Sequence, residues 1–219
     1  MAAAALAGIA MLIIGESHMS FDDHLINPLV DDLTAQGAKV HAIGACGAHA
    51  ADWLKTITVK CSAERRSGEK GVFRTGSGET TPIKQLIAKD KPDLILIIIG
   101  DTMGSYDKDV FPRAWAWKSV TDLTKEIAST KTTCVWVGPA YGSEGGSYFK
   151  NQKRTEELSK FFSQNVAPCG YIDSLKFSKP AEWRTLDGQH YAPAGYKLWS
   201  AAITKALIEM PMVQQLRKK

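Results

Sequence analysis

Hydrophobic and polar positions follow two different periods along this chain. Five short apolar segments are separated by longer stretches in which apolar residues recur every three or four positions. Short apolar segments are typical of buried strands, and the longer period is typical of amphipathic helices. The predicted strands are residues 11–15, 39–43, 93–100, 133–138 and 169–173. The predicted helices are residues 22–36, 82–89, 112–130, 155–166 and 193–208.

The regular alternation of strand and helix predicts an α/β fold with a five-stranded parallel sheet. Residues 94–99 are all leucine or isoleucine, as expected for a central strand that is buried on both faces. Residues 56–80 do not fit the alternation, because they are rich in glycine, serine, threonine and charged residues. Two interpretations stay open for that segment, a long functional loop and a small hairpin.

Length and composition indicate a single globular domain over residues 10–219. The chain has 219 residues, of which 44% are hydrophobic and 23% charged, and such a chain can bury a sizeable core. Residues 1–9 begin with an alanine-rich stretch and are interpreted as a leader remnant or a cloning scar. The net charge of +4 comes without a basic stripe, which argues against a nucleic-acid partner. No apolar run is long enough for a transmembrane helix, and we expect a monomer.

Candidate chemistry lies where the predicted strands end, because ligands of parallel α/β sheets bind beyond the carboxyl ends of the strands. Ser17 follows the first strand, at the start of a helical turn whose free N–H groups could stabilise an oxyanion. Asp187 and His190 are three residues apart before the last helix, so the aspartate can hold the histidine as a base. Each feature also has a plainer interpretation, since serine and aspartate commonly cap helices.

Four short motifs together resemble the SGNH hydrolases, also called GDSL esterases. They are Gly15-Glu16-Ser17, Gly47, Gly100-Asp101-Thr102 and Asp187-x-x-His190, in the order of the four sequence blocks of that family. The resemblance covers residues 12–207, which is nearly the whole chain. It implies a three-layer α/β/α flavodoxin-like domain with a catalytic triad of Ser17, His190 and Asp187.

The same resemblance implies an oxyanion hole made of two backbone N–H groups and one side chain. The N–H groups are those of Ser17 and Gly47, with Gly44 as the less favoured alternative to Gly47. The family's asparagine donor in the third block is replaced here by Thr102, whose hydroxyl can donate a hydrogen bond. Asp101 is the weaker candidate for that role, because an ionised aspartate only accepts hydrogen bonds.

The resemblance implies a serine esterase that cleaves O-acyl esters, above all O-acetyl esters, on a carbohydrate through an acyl-enzyme. The expected partner is an acylated carbohydrate or a small ester, and neither a metal nor an organic cofactor is expected. Two alternatives stay open: a carbohydrate O-acetyltransferase with the same triad, and a non-catalytic domain that binds glycans. Trp53, Tyr106 and Tyr191 lie near the motifs and are candidates for stacking on sugar rings, with core packing as the alternative.

Four cysteines are present, and none of them forms the CxxC spacing of a zinc site. Their spacing alone does not decide between four buried thiols and two disulfides. The resemblance to exported SGNH proteins favours a Cys46–Cys61 bridge beside the site and a Cys134–Cys169 bridge between neighbouring strands. Two such disulfides imply an oxidising compartment, the periplasm or the exterior of a bacterium.

Overall fold

A computed structural model describes residues 4–216 and contains one sheet of seven strands with helices on both faces. The strands are β1 (Ala10–Gly15), β2 (Lys39–Ala45), β3 (Thr58–Arg66), β4 (Val72–Glu79), β5 (Leu94–Ile98), β6 (Thr133–Val137) and β7 (Gly170–Ile172). Their spatial order is β4-β3-β2-β1-β5-β6-β7. The five predicted strands are β1, β2, β5, β6 and β7, and they pair in parallel. The predicted parallel α/β sheet is therefore confirmed.

The sheet exceeds the prediction in the segment 56–80. This segment forms the antiparallel hairpin β3-β4, which pairs with β2 and makes the sheet seven-stranded rather than five-stranded. Buried side chains such as Val59 and Ala63 come from β3, whereas the edge strand β4 is mostly exposed. An exposed edge strand carries no regular hydrophobic pattern, which explains why the sequence left the hairpin undecided.

Within residues 4–216, six α-helices cover the two faces of the sheet. They are α1 (Ile26–Ala35), α2 (Ile83–Asp90), α3 (Arg113–Ser129), α4 (Gln152–Asn165), α5 (Pro193–Glu209) and α6 (Pro211–Leu216), of which α6 was not predicted. The helices α1, α5 and α6 pack on one face, and α2, α3 and α4 pack on the other. Alternate side chains of β1 point to opposite faces of the sheet. Met11 and Ile13 belong to the core beneath α1, α5 and α6, and Leu12 and Ile14 belong to the core beneath α2, α3 and α4.

Residues 4–9 contact the main domain. The side chains of Leu6 and Ile9 are buried, and the Leu6 N–H donates to the Gln36 carbonyl at the end of α1. Residues 1–3, which begin the segment interpreted as a leader remnant or scar, lie outside the described residues. Within residues 4–216, none of the helices combines the length and the apolar character needed to cross a membrane.

All four cysteines form disulfides, in the two predicted pairings. Cys46, just after β2, is bonded to Cys61 in β3, with their Cα atoms 5.2 Å apart. Cys134 in β6 is bonded to Cys169, the residue before β7, with their Cα atoms 4.6 Å apart. The first bridge fixes the chain at the carboxyl end of β2, and the second joins two neighbouring strands of the sheet.

Candidate active site

The turn that carries Ser17 packs closely on the carboxyl end of the sheet. The chain leaves β1 into a short 3-10 turn at Ser17–Met19, which contacts β2. A Cβ on Gly44 would lie 2.0 Å from the Met19 carbonyl oxygen, and a Cβ on Gly15 would lie 2.4 Å from the Met19 side chain. These two positions therefore require glycine, because no larger residue lets the Ser17 turn approach the strands.

Ser17, His190 and Asp187 form one chain of hydrogen bonds. Ser17 Oγ lies 2.7 Å from His190 Nε2, and His190 Nδ1 lies 2.7 Å from Asp187 Oδ2. An ionised aspartate only accepts hydrogen bonds, so Nδ1 carries the ring proton and Nε2 can accept the proton of the Ser17 hydroxyl. The three predicted triad residues thus have the geometry of a nucleophile, a base and an orienting carboxylate.

The turn before α5 orients the carboxylate of Asp187. Its Oδ1 accepts the N–H of Gln189 at 3.0 Å and that of His190 at 2.8 Å. Burial acts to raise the pKa of Asp187, but these N–H groups and the His190 ring outweigh it and lower the pKa below its usual value. Gly188 has a φ of +92°, and a Cβ there would lie 2.8 Å from Gly146 Cα, so this turn requires glycine.

Two backbone N–H groups beside the nucleophile have no partner in the protein. Ser17 and Gly47 line the same cleft, and across residues 4–216 neither N–H donates a hydrogen bond to the chain. Gly44, the predicted alternative to Gly47, lies inside β2 between β1 and β3 and does not line the cleft. Gly44 is therefore excluded as the donor, which leaves the Ser17 and Gly47 N–H groups as candidates.

Thr102 lines the cleft, but its hydroxyl is engaged elsewhere. The hydroxyl donates to the Ala48 carbonyl at 2.9 Å, and the Thr102 N–H donates to Glu16 Oε2 at 3.0 Å. The hydroxyl would have to leave Ala48 before it could donate to an oxyanion. Its role as the third donor of the oxyanion hole stays a prediction.

Next to the triad, four ionisable side chains form a buried charged cluster, which consists of Glu16, His18, Asp101 and Lys150. Asp101 Oδ2 accepts hydrogen bonds from Lys150 Nζ at 2.7 Å and from His18 Nε2 at 2.9 Å. Asp101 Oδ1 accepts one from the Tyr106 hydroxyl at 2.6 Å. Only 1% of the Lys150 side chain and 2% of the Asp101 side chain are exposed. Asp101 is therefore an ion-paired carboxylate, and its predicted role as a weaker oxyanion candidate is wrong.

Protonation states in the buried charged cluster follow from burial and from neighbouring charges. Burial acts to raise the pKa of Asp101, but the Lys150 ammonium and the His18 ring outweigh it and hold the pKa well below its usual range. Burial lowers the pKa of His18 to about 4, so the ring is neutral at pH 7. Its Nδ1 then accepts the hydroxyl of Tyr196 at 2.9 Å. Both nitrogens of His18 are thus occupied.

Glu16 connects the Ser17 turn to the turn after β5. Its carboxyl oxygens accept the N–H groups of Gly100 at 2.9 Å, Asp101 at 2.7 Å and Thr102 at 3.0 Å. Burial and the nearby Asp101 charge raise the pKa of Glu16 to about 8, although the three N–H groups oppose the shift. The side chain holds the short 3-10 turn Asp101–Met103 against the nucleophile's turn.

An open cleft of about 870 Å³ leads to Ser17, and its lining corrects two of the predicted substrate contacts. Tyr106 lines this cleft, and its role as a substrate contact stays a prediction. Trp53 is fully buried in the hydrophobic core. Tyr191 is also buried, and its hydroxyl donates to the Tyr141 carbonyl. Stacking of Trp53 and Tyr191 on a sugar is therefore wrong, because both rings pack inside the protein.

Sequence reasoning missed three residues at or beside the site: Lys150, Tyr148 and Gln189. Tyr148 and Gln189 line the cleft, and Lys150 pairs with Asp101 beneath it. A signal was present for Gln189, which lies inside the Asp187-x-x-His190 motif. No motif marked Tyr148 or Lys150, since both lie in the segment between β6 and α4 that carries no regular pattern.

The sequence is similar to Protein BcsX from Komagataeibacter xylinus, with 37% identity over 98% of this chain and 81% of that protein. The chain belongs to the BcsX family. No protein-family model matches it. This BcsX-family chain spans most of the length of that relative.

Solved structures place the fold of this BcsX-family chain among the SGNH hydrolases. A GDSL-like lipase from Bacteroides thetaiotaomicron superposes with a TM-score of 0.57 at 12% identity, covering 91% of this chain and 87% of that chain. An acetyl xylan esterase superposes with a TM-score of 0.58 at 13% identity, covering 91% and 100%. At identities this low, the superpositions are evidence for the fold alone. They confirm the predicted three-layer SGNH architecture.

Proposed function

We propose that this protein is a serine esterase that removes O-acyl groups, above all O-acetyl groups, from a carbohydrate. One observation carries the proposal: Ser17 Oγ, which lines an open cleft, lies 2.7 Å from His190 Nε2, and His190 is held by Asp187. The likeness to an acetyl xylan esterase supports an acetylated carbohydrate as the substrate class. Neither step of the reaction requires a cofactor.

The first half of the reaction transfers the acyl group to the enzyme. Ser17 Oγ attacks the ester carbonyl carbon while its proton moves to His190 Nε2. The N–H groups of Ser17 and Gly47 stabilise the oxyanion of the tetrahedral intermediate. The C–O bond to the sugar breaks, and His190 returns the proton to the departing sugar oxygen. Asp187 stabilises the imidazolium throughout.

The second half releases the acid and restores the enzyme. A water molecule gives a proton to His190 Nε2 and attacks the acyl carbonyl, and the Ser17 ester bond then breaks as His190 protonates Ser17 Oγ. In the transferase alternative, a second sugar hydroxyl would replace this water. Thr102 contributes a third hydrogen bond to the oxyanion in this proposal, once its hydroxyl leaves Ala48.

Disulfides support the cellular part of the proposal. Cys46–Cys61 and Cys134–Cys169 are bonds that persist in oxidising compartments. The protein is accordingly proposed to act in the periplasm or outside the cell, where acetylated polysaccharides are accessible. It is proposed to act as a monomer.

The test measures acetate release from p-nitrophenyl acetate and from an O-acetylated xylooligosaccharide. The wild type should release acetate from both, and Ser17→Ala should lower the rate by about 10⁶-fold. Ser105→Ala is the matched control, because it removes another cleft hydroxyl and should retain activity. Equal rates for the wild type and Ser17→Ala would overturn the proposal, and acetyl transfer to sugar without acetate release would favour the transferase.

A further inference from the structure

One aromatic side chain stands exposed directly against the base of the triad. The ring of Tyr148 contacts the His190 ring edge to face, with centroids 5.2 Å apart, and 48% of the residue is exposed. Tyr148 lines the cleft that leads to Ser17. Among residues 4–216 its hydroxyl has no hydrogen-bond partner. Burial in the core therefore does not explain this ring, whereas a ligand in the cleft can contact it.

The residue that precedes His190 in the chain, Gln189, also lines this cleft and carries a side-chain amide. Gln189 is only 5% exposed and lines the cleft, and its backbone N–H donates to Asp187. Within the described part of the chain, its side-chain amide makes no hydrogen bond. Neither of its amide atoms is fully buried, so both open onto the cleft. A ligand that both donates and accepts hydrogen bonds can therefore pair with them.

The proposed mechanism indicates which part of an ester would lie beside Tyr148 and Gln189. His190 protonates the departing alcohol oxygen, so the alcohol part of the substrate leaves on the His190 side of the site. Tyr148 contacts the ring of His190, and Gln189 precedes it in the chain. Both side chains are thus placed to contact the alcohol part and not the acyl group.

The chemistry of the two side chains matches a sugar. An aromatic ring packs on the apolar C–H face of a pyranose, and a primary amide pairs with neighbouring hydroxyls. The cleft, at about 870 Å³, holds far more than an acetyl group. The charged side chains of Asp52, Lys60 and Asp107 line it together with apolar ones, a mixture that suits the hydroxyl groups and C–H faces of a sugar.

We infer that Tyr148 and Gln189 form a sugar subsite beside His190 that recognises the alcohol part of the ester. The inference rests on the proposed esterase function and adds the residues that select the substrate. Tyr148 supplies the stacking surface, and the Gln189 amide hydrogen-bonds to ring hydroxyls.

Selectivity between a small ester and acetylated oligosaccharides tests the subsite. Rates are measured for ethyl acetate, whose alcohol is too small to reach Tyr148, and for O-acetylated xylo-, gluco- and N-acetylglucosamine oligosaccharides. Tyr148→Ala and Gln189→Ala should lower the ratio of kcat/KM for the best oligosaccharide to that for ethyl acetate by about ten-fold, mainly through KM. Tyr148→Phe should keep the ratio. Phe149→Ala is the control, since this neighbour is 64% exposed and does not line the cleft.

Binding to an inactive protein separates this inference from the proposed function. The deacetylated oligosaccharides are titrated into Ser17→Ala protein by calorimetry, with and without Tyr148→Ala. Binding that Tyr148→Ala weakens about ten-fold supports the subsite even if the wild type releases no acetate. Absence of binding by all three sugars, or an unchanged ratio in both variants, would overturn the subsite while leaving Ser17-dependent esterase activity intact.

Discussion

Two sets of ionisable side chains lie side by side at one edge of the sheet, and they are held in opposite ways. His190 of the triad and His18 of the buried charged cluster have ring centroids only 5.1 Å apart. His190 Nε2 meets a hydroxyl at an open cleft, whereas both nitrogens of His18 are occupied by Tyr196 and Asp101. His190 can therefore exchange a proton with a ligand in the cleft. His18 is held as a neutral ring that donates one hydrogen bond and accepts another.

The difference lies in the access of water and not in the types of residue. Each set pairs a histidine with an aspartate at hydrogen-bonding distance. In the triad the Asp187 side chain is 27% exposed, but in the buried charged cluster Asp101 is 2% exposed and also holds Lys150. A buried ion pair surrounded by hydrogen bonds resists change. The cluster thus gives rigid support to the turns that carry the nucleophile.

The largest effect is expected when the triad is broken. His190→Ala should lower kcat/KM for acetate release by about 10⁶-fold, since serine and histidine act as one unit. Asp187→Asn should cost less, about 10⁴-fold, because the backbone still positions the ring while its tautomer is no longer fixed. Both variants should melt within a few degrees of the wild type. A His190→Ala variant that kept one tenth of the activity would contradict the assignment.

Breaking the buried charged cluster should act on stability instead. Lys150→Met leaves the Asp101 carboxylate buried without its cation, which should lower the free energy of unfolding by about 3–5 kcal/mol. The exposed pair Lys118–Asp122 has the same 2.7 Å distance, but 74% of the Lys118 side chain is exposed. Lys118→Met should therefore cost less than about 1 kcal/mol. Urea unfolding of both variants measures the contrast, and equal losses would show that burial does not distinguish the two pairs.

The two disulfides extend the comparison to the wall of the cleft. Their sequence separations of 15 and 35 residues correspond to about 3 and 4 kcal/mol of stabilisation. Replacing either pair by serines should lower the melting temperature. Only Cys46 and Cys61 line the cleft, so their removal alone should also lower kcat/KM. If the Cys134/Cys169 variant lost activity while the Cys46/Cys61 variant kept it, the bridge that supports the cleft would have been wrongly identified.

The smallest effect is a pH dependence that arises inside the buried charged cluster. The pKa of His18 falls from 6.5 to about 4 on folding, so its contribution to stability grows as pH rises between these values. The pKa of Glu16 rises from 4.5 to about 8, so its contribution is lost as pH rises through that range. The two slopes oppose each other between pH 4.5 and 6.5.

From pH 6.5 to 8 only the Glu16 slope remains, and stability should fall by about 2 kcal/mol. Unfolding of Ser17→Ala protein in urea across this window measures the effect without turnover. A stability that rises from pH 6.5 to 8 would contradict the raised pKa of Glu16.

The fold and the hydrogen-bonded arrangement of Ser17, His190 and Asp187 could be predicted from the sequence because each depends on a local pattern. Apolar runs such as residues 94–99 mark central strands, and the glycine and acid-base residues of the motifs lie at strand ends. The sequence pattern does not distinguish a loop from the hairpin β3-β4, because an exposed edge strand needs no buried face. Lys150 could not be found in this way, since a lysine is ordinarily exposed and its partner Asp101 lies 49 residues away.

Being close to a motif in the sequence does not determine whether a side chain is buried or reaches the cleft. Trp53 and Tyr191 follow motif glycines or the triad histidine, but their rings point into the core. Tyr148, which no motif marks, lies in a loop and lines the cleft. The backbone conformation of a loop determines where its side chains lie, and that conformation depends on tertiary packing.

The distance along the sequence between Ser17 and His190 has a consequence for the folding of the site. Ser17 and His190 are 173 residues apart, and α1 and α5 pack together to bring them into contact. Closing a loop of that length costs about 4–5 kcal/mol of chain entropy, which only the packed domain can offset. Under the proposed function, ester hydrolysis therefore cannot begin on a nascent or partly folded chain, and its recovery during refolding should lag behind the recovery of helical signal. Acetate release would then report when folding is complete.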